Sequence, residues 1–179
     1  MGHIFGHVFG RVFIVGLGTN LGERQQNLTR AVEAVARLPV HIEALSRVYE
    51  SAPLGPPQPD YLNAGLRLTS ELAPETMLAA LLDIERMLGR VRDVRWGPRV
   101  LDLDVLWSSE PWSSAQLTVP HPELARRTFA LAPLLDVAPE LAPQYGAALA
   151  ALGGAPTVYG ALSFDRVSST CAFAESAAL

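Results

Sequence analysis

The run Arg95-Trp96-Gly97-Pro98-Arg99-Val100-Leu101-Asp102-Leu103-Asp104-Val105-Leu106-Trp107 changes character at Leu101, from a cationic loop broken by Gly and Pro to strict alternation of apolar and acidic residues. Side chains on a strand point alternately to opposite faces, so Leu101, Leu103 and Val105 are expected in a core while Asp102 and Asp104 project together from the other side. This strand closes a series that begins much earlier. Just upstream, Pro74 suits a first helical position and Glu75 complements the helix N-terminus; Leu78, Leu81, Leu82 and Met87 supply an apolar face and Gly89 can end it, which predicts a second helix. Before that, His41 to Tyr49 and Tyr61 to Leu72 show partial period-two alternation and flank a Pro/Gly-rich stretch, Ala52 to Pro59, that must be an extended loop. Earlier still, Leu28, Ala31, Val32, Val35 and Leu38 recur at helical spacing up to Pro39, predicting a helix over Glu23 to Leu38, and Val12 to Val15 reads as a buried strand entering the Gly-rich turn Gly16 to Gly22. Strand, helix, strand, strand, helix, strand is the order of a ferredoxin-like α+β sandwich, an antiparallel sheet with the helices packed on one face.

The chain has 179 residues, 49% hydrophobic and 18% charged, enough apolar surface for one core. No repeat or low-complexity linker divides residues 12 to 145. The expected organisation is an N-terminal extension (residues 1–11), one domain (12–153) and a tail (154–179) whose Gly, Ala and Ser content with little periodicity favours mobility. A short helix is expected over Ala147 to Leu152. The longest apolar runs, Met77 to Leu82 and Phe129 to Leu135, are far below the roughly 20 residues that span a bilayer, and no secretory signal is read in the first eleven residues, so a cytoplasmic location is expected. Cys171 is the sole cysteine, which excludes an intramolecular disulfide and a cysteine-based zinc site. A net charge of −4 argues against affinity built on nucleic-acid phosphates. All fourteen basic residues are arginines, so a Walker-type phosphate loop and Schiff-base chemistry, which need lysine, are excluded.

Five of those arginines fall between Arg86 and Arg99, directly before the two aspartates. Paired carboxylates that close raise each other's pKa unless a cation neutralises them, and hard oxygens of this kind suit Mg²⁺ that also holds substrate phosphates. Alone, the pattern equally fits a half-exposed strand with ordinary outward aspartates. Guanidinium groups clamp phosphate oxygens bidentately and stay charged at any working pH, so the cationic segment complements the acidic pair. Arg86 and Arg90 also suit a helix C-terminus, which accounts for two arginines of the five. His121, in a T-V-P-H-P context, is either a structural hydrogen-bonding group or a ligand, and Arg126 and Arg127 either a solvated face or part of the site. Tyr61 and Asn63 point the same way along a strand; they would offer a flat heterocycle an aromatic surface and an amide, or Tyr61 could simply fill the core.

Four blocks in order, G-T-N-L-G (Gly18 to Gly22), P-L-G-P-P-Q-P-D-Y-L-N-A (Pro53 to Ala64), G-R-V-R-D-V-R-W-G-P-R-V-L-D-L-D (Gly89 to Asp104) and L-T-V-P-H-P (Leu117 to Pro122), make residues Val12 to about Gly146 resemble the 6-hydroxymethyl-7,8-dihydropterin pyrophosphokinase family. The resemblance implies transfer of pyrophosphate from ATP to a pterin alcohol in folate biosynthesis, with AMP released. It implies that Asp102 and Asp104 bind two Mg²⁺ ions, that Arg90 and Arg99 stabilise the transferring group with Arg92 assisting, and that His121 and Arg127 hold the triphosphate, with Glu85, Val105 and Thr118 at ATP contacts. The pterin would stack between Tyr61 and Phe129, be read by Asn63 and by backbone near Ser51, Pro53 and Leu54, and be closed over by Trp96. ATP and the pterin would be the partners of a monomer, with no nucleic acid or membrane. The arginine loop and the Pro-rich loop are each one residue shorter than the family pattern, Thr19 stands where serine is usual, and Ser51-Ala52 replaces a common Thr-Pro pair.

Two other classes fit less well. A dinucleotide-dependent oxidoreductase is suggested by Gly16-x-Gly18 after a strand, but Gly22 comes one place late for G-x-G-x-x-G and too few strand-helix units follow. A ferredoxin-like RNA-binding module would stack bases on sheet aromatics, against which stand the acidic charge and the absence of an aromatic G-F-G-F-type strand.

Overall fold

The protein, seen in a computed structural model, is described over residues 10–90 and 97–162. β1 (Arg11–Thr19), α1 (Arg24–Val35), β2 (Val40–Leu45), β3 (Arg47–Ser51), β4 (Tyr61–Ser70), α2 (Pro74–Met87) and β5 (Asp102–Ser108) follow in the expected order. After them come a small hairpin of β6 (Trp112–Ser113) and β7 (Thr118–Val119), then α3 (Thr128–Val137), α4 (Ala142–Ala151) and β8 (Thr157–Ala161). The main sheet runs β5-β1-β4-β3-β8 with β2 also on β4, and all its pairings are antiparallel. This is the ferredoxin-like arrangement with one strand added at an edge. The expected strand His41 to Tyr49 is split at Ser46, whose N–H donates to the Gly65 carbonyl (2.9 Å) while its hydroxyl accepts from the Gly65 N–H (2.7 Å).

Alternation sorts the sheet into two faces. Phe13, Val15 and Leu17 of β1, with Leu62, Leu66 and Leu68 of β4 and Leu103 and Val105 of β5, pack against Leu28, Val32 and Val35 of α1 and Met77, Leu81 and Ile84 of α2. Each such fully buried side chain contributes about 1.5–3 kcal/mol through removal of apolar surface from water. On the opposite face, Ile14 and Leu106 meet Leu131 and Leu134 of α3, with Tyr145 of α4 behind them. Gly65 lets α3 lie against the sheet, because a Cβ there would stand 3.0 Å from the Pro133 carbonyl oxygen. α3 covers only part of this face, and the remainder is the floor of a cleft.

Local punctuation explains the element ends. Gly22 sits at φ +64°, the left-handed region that favours glycine, and turns β1 into α1. Pro74 opens α2 with Glu75 in its first turn, and Gly89 at φ +92° follows its end. α1 stops at Val35 rather than Leu38, with a turn carrying the chain to Val40. Part of the expected tail is structured: β8 pairs with β3 from Arg47↔Ala161 to Glu50↔Thr157, so the sheet continues past Gly153. Cys171 and the rest of that tail lie outside the described residues, as do residues 1–9 of the N-terminal extension. Among the described residues no helix is long and apolar enough to cross a membrane.

Candidate active site

Two cross-strand rows build the cleft floor. Asn63, Gly18 and Asp102 are register partners across β4, β1 and β5, and Gly65, Gly16 and Asp104 form the next row on the same face. The middle strand therefore carries no side chain here, and a trough of backbone runs between Asn63 on one bank and the two carboxylates on the other. A Cβ at Gly18 would lie 3.6 Å from Asn63 Oδ1 and 3.8 Å from the Asp102 Cβ, so even a methyl group would fill the floor. The cleft above it is lined by Gly18, Ser51, Ala52, Leu54, Tyr61, Asn63, Arg99, Asp102, Asp104, Arg127 and Phe129.

The Asn63 side-chain N–H₂ donates to the Ser51 hydroxyl (2.9 Å), and its Oδ1 faces Gly18. Tyr61 is half-buried on the same face of β4, while Phe129 stands at the start of α3 with the Arg127 guanidinium 5.9 Å from its ring centroid. One end of the cleft thus combines two rings and an amide. The other end is charged. Asp102 receives Arg90 on one oxygen (2.6 Å) and Arg99 on the other (2.6 Å). Arg90 also pairs with Glu85, which is only 1% exposed and accepts the Leu103 N–H at 2.7 Å. Burial pushes the Glu85 carboxyl up, opposed by the Leu103 N–H and by Arg90. Asp104 is pushed up to about 7, first by burial and then by the neighbouring Asp102 and Glu85 carboxylates.

A desolvated carboxylate crowded by like charge is a place where a cation fits. Among the described residues no cluster of three or more His, Cys, Asp and Glu forms a complete metal cage. Asp102 and Asp104 instead present hard oxygens to an open cleft, a donor set suited to a divalent cation that takes its remaining ligands from phosphate and water.

Other expected residues lie around this centre. His121 accepts the Glu123 N–H on Nδ1 (3.1 Å), which puts the proton of the neutral ring on Nε2; burial, then Arg127, lowers its pKa. Its own N–H donates to the Leu106 carbonyl at 2.8 Å, which ties it to β5. Pro53 is half-buried in the Pro-rich loop between Ala52 and Leu54. Thr118 is exposed on β7, away from the cleft lining, and Val105 keeps its side chain in the core, leaving its backbone as the part that can meet a ligand. Arg92 and Trp96 lie outside the described residues. Two participants went unread in the sequence. Ala52 lines the cleft, and Asn20, only 2% exposed, spans the two loops that frame it. The signal for Asn20 was a lone amide in the middle of a Gly-rich turn, which local reasoning assigns to turn building.

Known proteins resemble this chain over most of its length. Residues 14–139 match the profile of 7,8-dihydro-6-hydroxymethylpterin-pyrophosphokinase. A 2-amino-4-hydroxy-6-hydroxymethyldihydropteridine pyrophosphokinase of Pseudomonas aeruginosa is 46% identical over 130 residues, covering 71% of this chain and 80% of the relative. One of Synechocystis sp. is 42% identical over 129 residues, covering 71% of this chain and 66% of that relative's length. Among solved structures, a Plasmodium falciparum HPPK-DHPS with pterin and p-hydroxybenzoate superimposes with a TM-score of 0.58 at 14% identity, covering 73% of this chain and 40% of that one, a likeness of fold. With more than half of its length matched by the profile and two relatives above 40% identity, the chain belongs to the 7,8-dihydro-6-hydroxymethylpterin-pyrophosphokinase family.

Proposed function

We propose that this chain transfers pyrophosphate from ATP to the hydroxymethyl group of 6-hydroxymethyl-7,8-dihydropterin, releasing AMP, as a step of folate biosynthesis. The observation that carries the proposal is the division of one cleft into a flat end, with Tyr61, Phe129 and Asn63, and a charged end, with Asp102, Asp104, Arg90 and Arg99.

At the flat end the pterin ring stacks between Tyr61 and Phe129. Asn63 Oδ1, set by the Ser51 bond, accepts from the amine edge, and the backbone of Ser51, Pro53 and Leu54 reads the rest. At the charged end His121 donates from Nε2 to the triphosphate, Arg127 adds charge, and Glu85 and Val105 border the nucleotide, which would meet Thr118 where it extends past the cleft lining onto β7. Asp102 and Asp104 would hold two Mg²⁺ ions, which supply charge neutralisation across the phosphate oxygens. Arg90 and Arg99, parked on Asp102 without ligand, are placed to turn onto phosphate oxygens a short distance away. The hydroxymethyl oxygen loses its proton to solvent and forms its bond to the β-phosphorus in line as the bridging oxygen leaves with AMP, and the arginines offset the charge that develops. No protein nucleophile takes part. The acidic net charge fits a chain without nucleic-acid partners, and a cytoplasmic monomer without membrane partners is proposed with it.

The test is AMP release from MgATP with and without the hydroxymethyl pterin. AMP should form only with the pterin and match the pyrophosphorylated product one for one. Formation of ADP, or of AMP at the same rate without pterin, would overturn the assignment.

A further inference from the structure

We propose that Asn20 is a positioning residue that couples the phosphate end of the cleft to the pterin end, an inference that rests on the pyrophosphokinase reading above. Asn20 follows β1 and is 2% exposed. Its Oδ1 accepts the Arg99 N–H at 2.7 Å, and its own backbone N–H donates to the Arg99 carbonyl at 3.0 Å. Two bonds thus clamp the backbone of Arg99 on both sides, and from that fixed position the Arg99 guanidinium reaches Asp102 at 2.6 Å. The two hydrogens on Nδ2 go elsewhere, to Gln58 Oε1 at 3.0 Å and to the Pro59 carbonyl at 2.9 Å. Those acceptors end the Pro-rich loop. The start of that loop supplies Ala52 and Leu54 to the cleft wall, and the chain beyond it runs directly into Tyr61.

A buried asparagine can serve merely to satisfy its own turn. Here that task falls to Asn27, which donates to the Leu21 carbonyl at 2.9 Å. The side-chain partners of Asn20 are 38, 39 and 79 residues away in sequence. One planar amide therefore holds two separate loops by its opposite ends. Displacing either loop rotates the plane and weakens the other set of bonds, because hydrogen bonds lose strength steeply with misalignment. Arg24 adds a second anchor on the pterin side, donating to the Asp60 carbonyl at 2.8 Å, but it has no contact with Arg99 among the described bonds. Among the described bonds, Asn20 joins the two.

Because the two functions use different atoms of the amide, they can be separated. Asn20→Asp preserves the acceptor for the Arg99 N–H but turns a second oxygen toward the Pro59 carbonyl, which cannot donate. Dissociation constants for the pterin and for a non-hydrolysable MgATP analogue would be measured by calorimetry on the full chain, beside KM, kcat and a thermal melt. For Asn20→Asp the pterin Kd and KM should rise about tenfold, as expected for losing a buried hydrogen bond and gaining a repulsion, while the analogue Kd and kcat change less than about threefold. Asn20→Ala loses both anchors and should lower kcat about tenfold as well. Gln58→Ala removes one of the two acceptors of the Asn20 amide, along with Gln58's own long bond to the Pro56 carbonyl (3.4 Å), tests the same link if Asn20→Ala does not fold, and should raise the pterin Kd about threefold with the analogue unaffected. Equal shifts of both ligands in Asn20→Asp and Gln58→Ala, or no shift in either, would overturn the inference. An unaltered chain without pterin-dependent AMP release would remove the pyrophosphokinase reading and this inference together, whereas an active chain whose variants show no split removes the inference alone.

Discussion

Removing the Asp136 carboxylate should destabilise the fold mainly through one hydroxyl group. Asp136, in α3, accepts the Tyr49 hydroxyl at 2.9 Å, and from Arg47 it accepts the backbone N–H (3.1 Å), Nε (3.0 Å) and the terminal NH₂ (2.7 Å). The Arg47 side chain is largely in water, so solvent screens that pair and it adds little. Tyr49 is different, at 1% exposure. Asp136→Ala leaves its hydroxyl without this acceptor, and an orphaned buried hydroxyl costs about 1–3 kcal/mol. In a Tyr49→Phe background there is no hydroxyl to orphan, so the same substitution should cost less than about 1 kcal/mol, and a double-mutant cycle should return a coupling of about 1–2 kcal/mol. Urea unfolding at pH 7 measures all four chains. Burial raises the Asp136 carboxyl, yet the bonds from Arg47 and Tyr49 more than compensate and hold it below the ordinary carboxylate range. A depressed folded pKa gives stability that is complete above the unfolded value, about 3.9, and is lost as pH falls through the folded value. The coupling should therefore be level from about pH 8 to 5 and fade below about pH 4. A coupling near zero at pH 7 would refute the role of the hydroxyl.

Asp102→Asn and Asp104→Asn should each abolish AMP release at saturating Mg²⁺ while the thermal midpoint stays within a few degrees, because both carboxylates face the cleft rather than the core; near-normal turnover in both would sink the metal assignment. Tyr61→Ala and Phe129→Ala should each weaken pterin binding by about 1 kcal/mol through lost stacking, read by calorimetry, and equal losses for ATP would instead mean a collapsed pocket. Ending the chain at Gly153 rather than Leu162 removes β8, whose four register pairs with β3 at roughly 0.2–1 kcal/mol each amount to about 1–4 kcal/mol. Turnover at 25 °C should stay within a few-fold, and indistinguishable melting curves for the two chains would show that β8 carries no stability.

What could be read from the sequence was what short range determines. The alternation in Leu101 to Val105 put Asp102 and Asp104 on one face, and the same period paired Tyr61 with Asn63, because on a strand two residues of spacing is geometry. α1 and α2 followed from apolar spacing with Pro and Gly at their ends. The elements that sequence reading missed depend on distant partners. The break at Ser46 exists because Gly65 on another strand answers both of its bonds. α3 is apolar nearly all round and contains Pro133, so no helical stripe announces it; burial between sheet and α4 makes it a helix. β8 is a strand because β3 has an edge to offer. In the site, a cationic segment beside two aspartates was legible, but not the resting places of Arg90 and Arg99 on Asp102 and Glu85, since those pairings need α2 and β5 side by side.

The glycine floor has a further consequence, for inhibition. Gly16 and Gly18 leave main chain exposed where most binding sites show side chains, and the space above them is bounded by atoms already in close quarters: a Cβ at Gly16 would meet Leu106 at 3.0 Å. A compound that presses against this floor touches a surface that point mutation can alter only by adding atoms. In the binding mode proposed above, any such addition takes the same volume from the ligand. Resistance by substitution at the floor would therefore carry its own loss of activity, whereas compounds leaning on the Pro-rich loop, with Leu54 in solvent, leave the protein free to change the contact at little harm to itself.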